Sequence, residues 1–317
     1  MYAFNRHLRE TIAVPALLAA AVLYSTPAAA KNVANDLDCV DCVQGPELEA
    51  GAVGPRELAP DAVFLTTILV RADGTPADNC TALLDALDET DIATESDPYL
   101  IKLEPGIYDC ESTSVIWMNA YVDIEGSGQN TTIIRSERIP AIQVAANSEL
   151  RQVTVEATGV DSARGIMMRR NNSRLANVTV IAEAEEADAI PKGISISPAD
   201  ERQVIEVDLD HVTVYAGTPA TNGTAIQVIG HSNVRMTDVR AHGAQNGMTL
   251  ITENNAKVIA TGSVFEGSSK SVRVENTNEA LLVTSLLIGP AFAGGGIVEC
   301  IASYGPAFNV LTPACTP

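Results

Sequence analysis

The sequence predicts an all-β protein, a parallel β-helix with a short helix capping its N-terminal end. Three observations predict this fold: one apolar motif recurs six times, a second motif recurs between its copies, and no amphipathic helix separates them. A strand that alternates apolar and polar residues cannot bury its apolar side alone, so repeats of this kind must stack on one another. We therefore expect a coil of short strands, rung upon rung.

The first motif is a small residue followed by apolar, polar and apolar residues, as in Ala141-Ile142-Gln143-Val144. Its leading apolar residue advances along the chain in steps of 24, 28, 32, 22 and 24 residues. These positions are Ile142, Ile166, Ile194, Ile226, Met248 and Val272. The side chains that follow them are expected to point outward in one column, which holds no cluster of carboxylates: Gln143, Met167, Ser195, Gln227, Thr249 and Arg273.

The second motif begins at Val153, Val178, Val212, Val239, Val264 and Leu286 and keeps step with the first. Asparagine falls between the two motifs at Asn147, Asn172, Asn233, Asn255 and Asn278. Because asparagine tolerates a left-handed backbone, this placement predicts a sharp bend between the two strands. The alternative is an antiparallel sandwich with Asn-Gly hairpins, but Asn222-Gly223 and Asn246-Gly247 mark the starts of rungs instead.

Residues 1–30 have the pattern of a secretory signal peptide. Arg6 and Arg9 precede an apolar run at 12–24, and three alanines at 28–30 offer a cleavage site. A membrane anchor is the alternative, but the run is shorter than the roughly 20 residues of a membrane span. The pattern predicts a secreted, periplasmic or cell-surface protein with no membrane span after the signal is removed.

Residues 31–70 carry a different repeat, in which Glu47-Leu48 and Ala52-Val53 return ten residues later as Glu57-Leu58 and Ala62-Val63. This segment resembles the E-L-x-x-x-A-V repeats of phage tail-fibre shafts, which associate between chains. The resemblance implies a homo-oligomer assembled through residues 31–70. The alternative is a flexible linker, which the many prolines and small residues favour.

The main domain is predicted over residues 71–317. A short helix is expected from Cys80, with Asp78 or Asn79 as its N-cap and Leu83, Leu84 and Leu87 on one side. Behind it come a P-G-x-Y strand at 105–108, a G-S-G turn at 126–128 and a T-T-I-I strand at 131–134. This order resembles the opening of the pectin-lyase-like superfamily, which implies right-handed winding and so a right-handed parallel β-helix.

The catalytic motifs of that superfamily are missing. The sequence lacks the Q-D and D-F-I-F-G motifs of pectinesterases, the N-T-D, D-D and G-H-G motifs of polygalacturonases and the W-x-D-H motif of pectate lyases. Their absence favours a non-catalytic secreted or surface module for adhesion or glycan binding. The alternative is a divergent polysaccharide lyase, pectinesterase-like enzyme or glycoside hydrolase that acts on acidic polysaccharide.

Charge and cysteine content limit the partners. The chain has 40 acidic against 20 basic residues, a formal net charge of −20, which disfavours binding to nucleic acid or anionic lipid. An exported chain is expected to form disulfides, and sequence proximity favours Cys80 with Cys110 and Cys300 with Cys315. Cys39 and Cys42 form a lone C-x-x-C, for which we expect a local or interchain disulfide.

No metal or cofactor is expected. A zinc ribbon would need a second pair of cysteines at matching spacing. Asp208 and Asp210 share one side of a strand, but calcium would need several more oxygen ligands, and the aligned Arg174 and Arg235 oppose it.

The candidate ligand site comes from stacking the second motif in register. This alignment places His211 beside Asp238, Thr213 beside Arg240 and Tyr215 beside His242. The same column is expected to continue outward through Phe265 and Leu287. The ligand-binding candidates are His211, Asp238, Arg240, His242 and Tyr215. A histidine beside a carboxylate is a competent base and arginine can hold a uronate, so this patch is a candidate site for a polysaccharide or surface glycan, or for weak acid–base chemistry. The alternative is an ordinary polar outer face without a ligand.

Overall fold

The computed structural model describes residues 66–110, 115–186, 188–218, 221–251, 255–307 and 309–316. Over these residues the chain is a right-handed parallel β-helix preceded by one helix, which confirms the predicted fold. The right-handed sense is the one that crossovers between parallel strands nearly always take. The predicted signal peptide and most of the 31–70 segment, with Cys39 and Cys42, lie outside the described residues.

The helix, α1 (Pro76–Glu89), packs against the first rungs. Its N-cap is Thr75 rather than Asp78 or Asn79, because Pro76 occupies the first turn and Asp78 completes a capping box with Thr75. The Asp78 amide donates to Thr75 Oγ1 at 3.2 Å, and the Thr75 amide donates to Asp78 Oδ2 at 3.1 Å. No helix among the described residues combines the length and apolarity needed to cross a membrane.

Each full rung has three strands rather than the two that the motifs predict, and every strand pair is parallel. The first face consists of β4 (Ile116–Trp117), β7 (Ile142–Val144), β9 (Arg164–Met168), β11 (Lys192–Ile196), β14 (Thr224–Ile229), β17 (Asn246–Ile251), β20 (Lys270–Glu275) and β23 (Ala291–Gly294). The second face consists of β1 (Thr66–Val70), β2 (Tyr99–Leu103), β5 (Val122–Glu125), β12 (Ile205–Asp210), β15 (Ser232–Thr237), β18 (Lys257–Thr261), β21 (Glu279–Val283) and β24 (Ile297–Ile301).

The third face consists of β3 (Gly106–Asp109), β6 (Thr132–Ser136), β13 (Thr213–Ala216), β16 (Arg240–Gly243), β19 (Val264–Gly267) and β22 (Leu286–Ile288). Two long strands, β8 (Ser148–Gly159) and β10 (Ser173–Ala184), bend in the middle and serve both the second and the third face. The second-face strands of the later rungs were not recognised from the sequence, although they alternate apolar and charged residues as strands do, as in Ile205-Glu206-Val207-Asp208.

The predicted register of the first motif is confirmed on the first face. Ile142 pairs with Ile166, and the column continues in register to Val272. All six of these side chains are fully buried. Stacked aliphatic side chains therefore fill the interior, with Val153, Val178 and Val212 contributing from the third face.

The register of the second motif is wrong after Val239. Arg240 lies opposite Val264, not Phe265, so Phe265 and Leu287 turn inward and are buried. The chain between Val239 and Val264 is one residue too long for these two valines to stack on each other. Val264 therefore faces Arg240.

Single residues with positive φ form the corners between faces. Asn147, Asn172 and Asn255 adopt this conformation as predicted, and Asn172 Nδ2 donates to Asn147 Oδ1 at 2.9 Å. Asn233 and Asn278 do not, because Gly230 and Asn276 take the left-handed conformation in their rungs.

Two disulfides close the ends of the described chain. Cys80 of α1 is bonded to Cys110, and Cys300 of β24 is bonded to Cys315, the pairings that sequence proximity favoured. The disulfides thus hold the helix and the C-terminal loop at the two ends of the β-helix. An uncovered strand edge there could pair with a strand of another chain.

Candidate functional site

The site begins at the corner between the second and third faces. There, one left-handed residue per rung turns the chain, and we name these residues the corner column: Gln152, Asn177, His211, Asp238, Gly262, Thr284 and Ala302. His211 has φ 52° and Asp238 has φ 51°. Asn, Asp and His are enriched in this conformation. The bend that the fold requires therefore also directs two candidate side chains, His211 and Asp238, outward on adjacent rungs.

His211 lies between two carboxylates. Its Nδ1 is 2.8 Å from Asp210 Oδ1 and its Nε2 is 3.4 Å from Asp238 Oδ2. A neutral imidazole has one N–H and can donate to only one of them, whereas a protonated ring can donate to both. With a carboxylate facing each ring nitrogen, His211 is poorly placed to accept a proton from a ligand.

A hollow of about 480 Å³ lies beside this pair. Arg240 and Thr213 border it in register with each other, and Asn177 and Gln129 complete its polar lining. Gln129 comes from the loop before β6, and its Oε1 accepts a hydrogen bond from Thr179 Oγ1 at 3.2 Å. Sequence reasoning missed Gln129, since a contact across 50 residues does not follow from the strand repeat.

Arg240 is exposed, and its guanidinium forms no ion pair with any residue in the described ranges. It is therefore free to bind an acceptor group of a ligand.

A second cleft, of about 640 Å³, lies farther along the third face. Tyr215 and His242 line it, with ring centroids 5.0 Å apart and an angle of 11° between their planes. Tyr215 is 46% exposed. One side of an aromatic pair is therefore open to solvent in a cleft.

Glu266 extends this pair on the next rung. Its Oε2 lies 2.7 Å from His242 Nδ1, and the two residues face each other in register. A hydrogen bond from Nδ1 to the carboxylate leaves Nε2 as an acceptor, and no described residue bonds to that atom. Sequence reasoning missed Glu266 because of the one-residue shift. Aligning Arg240-Ala-His-Gly243 with Val264-Phe-Glu-Gly267 on their final glycines would have found it.

Glycine shapes this cleft. A Cβ added to Gly243 would lie 1.7 Å from the carbonyl oxygen of Asn246, and one added to Gly267 would lie 2.2 Å from that of Lys270. The backbone passes too close for any side chain there. The wall of the cleft beside Tyr215 and His242 is consequently bare backbone.

The structure thus brings all five sequence-predicted ligand residues onto one side of the third face and its corner. In and around this set, three carboxylates, those of Asp210, Asp238 and Glu266, accompany one cation without an ion pair to a described residue, Arg240. Asp208 and Asp210 interact with arginines, since Arg235 lies 3.4 Å from Asp208 and Arg174 lies 3.1 Å from Asp210. The described residues contain no group of three His, Cys, Asp or Glu side chains that could hold a metal ion.

Comparison with known proteins gives structural similarities only. No protein-family model matches the chain, and no curated protein matches it. The A-module of the mannuronan C-5 epimerase AlgE4 from Azotobacter vinelandii is similar over 78% of this chain and 93% of its own, with 11% identity and a TM-score of 0.41. The A-module of AlgE6 from the same organism is similar over 74% and 87%, with 12% identity and a TM-score of 0.33.

A pectin methylesterase from carrot is similar over 76% of this chain and 83% of its own, with 12% identity and a TM-score of 0.43. At these identities the similarities concern the fold alone. The fold expected from the pectin-lyase-like resemblance is confirmed by the stacked parallel strands themselves.

Proposed function

We propose that the third face binds a glycan and that the protein acts as a non-catalytic binding module outside the cytoplasm. The observation that carries this proposal is the exposed Tyr215 ring, stacked on His242 in a cleft with hydrogen-bonding side chains on both sides. An aromatic ring packs well against an apolar surface while the groups around it bond polar atoms. A sugar ring offers that combination, with C–H groups on its face and hydroxyls at its edge.

The charges of the site favour a neutral sugar. Carboxylates accept hydrogen bonds from hydroxyl groups, and Arg240 can donate to a hydroxyl or ring oxygen. Three carboxylates close to a uronate would repel it, and one arginine offsets only part of that repulsion. We therefore place neutral hexoses ahead of the acidic polysaccharide considered from the sequence.

The disulfides support a setting outside the cytoplasm. Bonds of the kind formed by Cys80 with Cys110 persist in oxidising compartments and are rare in the cytosol. Secretion, periplasmic location or surface display all satisfy this condition. Assembly through residues 31–70 stays a prediction from the repeat.

A second candidate function is acid–base catalysis by His242. Glu266 orients the ring through Nδ1, and Nε2 is left to exchange a proton with a ligand in the cleft. The two functions share one ligand site and differ in turnover.

Replacing the aromatic ring tests the binding proposal. We expect Tyr215→Ala to weaken glycan binding about tenfold, because stacking on an aromatic ring contributes on the order of 1 kcal/mol beyond its area. The measurement is isothermal titration calorimetry of the full chain against neutral and acidic oligosaccharides, chosen with a glycan array. Trp117→Ala is the control, since Trp117 is an exposed aromatic residue of β4 on the first face.

Equal affinity of the Tyr215→Ala variant and the wild-type protein would contradict the proposal, as would an array with no bound glycan. Release of products from a bound glycan, lost in His242→Gln, would replace the binding function with the catalytic one.

A further inference from the structure

Three cations on the first face lie close together without an acidic partner. We name Arg164, Arg169 and Lys192 the first-face cations. Lys192 faces Arg164 in register, and Arg169 directly follows β9. None of the three forms an ion pair with a described residue, although the chain carries a net charge of −20. These three positive charges are therefore available to a counter-ion from outside the described residues.

The first-face cations destabilise one another. Burial, and then the charge of Arg169, lower the pKa of Arg164. Burial, and then the charge of Arg164, lower the pKa of Lys192. All three residues are half-buried, so water screens their mutual repulsion only in part.

Hydrogen-bonding groups without partners gather on the same face. Among the described residues, the buried side-chain polar atoms without a hydrogen bond are Arg164 Nε, Arg169 Nε, Gln227 Oε1 and Thr249 Oγ1. All of them belong to strands of the first face or to the residue directly after β9. A buried polar group without a partner costs free energy, so such groups are normally satisfied.

Gln227 and Thr249 point outward, away from the core. Gln227 alternates with the buried Ile226 and Val228, and it lies opposite Thr249 in register. Gln227 is 7% exposed and Thr249 is 5% exposed. Their unbonded atoms are therefore shielded from water while facing the side of the sheet that carries the cations.

We infer that the first face holds a binding site for an oxyanion group, a carboxylate, sulfate or phosphate. The unpartnered Arg164 Nε and Arg169 Nε are both donors, so the group that satisfies them must be an acceptor. Gln227 and Thr249 lie two and three rungs from Arg164, so they are not contacts of the same group. Negative charge on the acceptor neutralises the repulsion among the first-face cations.

This site is separate from the glycan site on the third face. It consists of different residues, and it is proposed to bind an anion, whereas the third face is proposed to bind a neutral sugar. Tyr215→Ala should therefore leave oxyanion binding unchanged, and either proposal can fail without the other.

The test is thermal unfolding and calorimetry with inorganic sulfate, against chloride at the same ionic strength. We expect sulfate to raise the Tm of the wild-type protein above its value in chloride. Lys192→Gln should weaken sulfate binding about tenfold and should raise the Tm in buffer without sulfate, because it removes repulsion. Arg169→Gln provides a second variant with the same expectation.

Lys257→Gln is the control, since Lys257 lies on the second face with Glu279 as its partner at 3.2 Å. It separates a specific site from the general stabilisation that sulfate gives by exclusion from protein surfaces. A sulfate effect of equal size in the wild-type, Lys192→Gln, Arg169→Gln and Lys257→Gln proteins would overturn the inference.

A further series distinguishes a free anion from an anion carried by a sugar. Glucuronate and glucose 6-sulfate are compared with acetate and inorganic sulfate. Tighter binding of the sugar acids would assign the site to an anionic glycan, and equal binding would assign it to a free anion. No binding of any of the four would refute the site.

Discussion

Phe265→Ala is expected to lower the free energy of unfolding by about 3–5 kcal/mol. Phe265 is fully buried and is among the largest side chains inside the β-helix. Removing the ring deletes its contacts with the stacked aliphatic residues and leaves a cavity that neighbouring rungs can fill only in part. Urea denaturation followed by circular dichroism measures the loss.

Two variants control this experiment. Phe265→Leu keeps most of the volume and should cost less than about 1.5 kcal/mol. Phe292→Ala removes a ring that is 40% exposed and should cost clearly less than Phe265→Ala. A loss of less than about 1 kcal/mol in Phe265→Ala would place this ring on the surface, where the sequence alignment had put it.

The second large effect concerns Asp123, a buried carboxyl on the second face. Arg151 binds it at 3.0 Å, and the same arginine contacts Glu125 and Glu149 at 2.9 Å each. Burial raises the pKa of Asp123 from 3.8 to about 6, although the Glu149 amide and Arg151 oppose the shift. The folded protein thus holds this proton more tightly than the unfolded chain does.

Protonated Asp123 therefore stabilises the folded protein. This contribution is fully present below about pH 4 and is lost as the pH rises through about 6. A shift of about two pKa units corresponds to about 3 kcal/mol. Asp123→Asn cannot ionise and escapes this loss. We expect the free energy of unfolding of the variant, relative to wild type, to increase by about 3 kcal/mol between pH 4 and pH 7.

Urea denaturation at several pH values measures this difference, in which the other ionisable groups largely cancel. Asp78→Asn should show the opposite trend. Its hydrogen bonds with Thr75 lower the pKa of Asp78, so this carboxylate stabilises the fold above its unfolded pKa and loses that effect as the pH falls. A pH-independent difference for Asp123→Asn would contradict the assigned shift.

The first face could be predicted because its motif is uniform. Each copy starts with a small residue and places its apolar residues at the same spacing, so stacking Ile142 on Ile166 fixed the neighbours of both strands. His211 and Asp238 were found in the same way, since Val212 and Val239 directly follow them.

The parts of the fold and of the candidate site that were not predicted depend on features that are not visible in the strand repeat. The one-residue difference in length before Val264 reversed the orientation of Phe265 and hid Glu266. The bend inside β8 and β10 leaves no break in the sequence, so the second-face halves of these two strands were missed. The sequence alone does not show which carboxylates lie near Lys192. Only the structure shows that none of the described ones forms an ion pair with it.

Because the rungs stack in parallel register, the number of rungs in the β-helix can change without altering the surface contacts between the rungs that remain. Neighbouring rungs are about 4.8 Å apart, and the contacts among Tyr215, His242 and Glu266 join residues on adjacent rungs. Duplication or loss of a whole rung near either end would lengthen or shorten the molecule while leaving Tyr215, His242 and Glu266 in their mutual arrangement. The length of the β-helix and its ligand site on the third face can accordingly evolve independently.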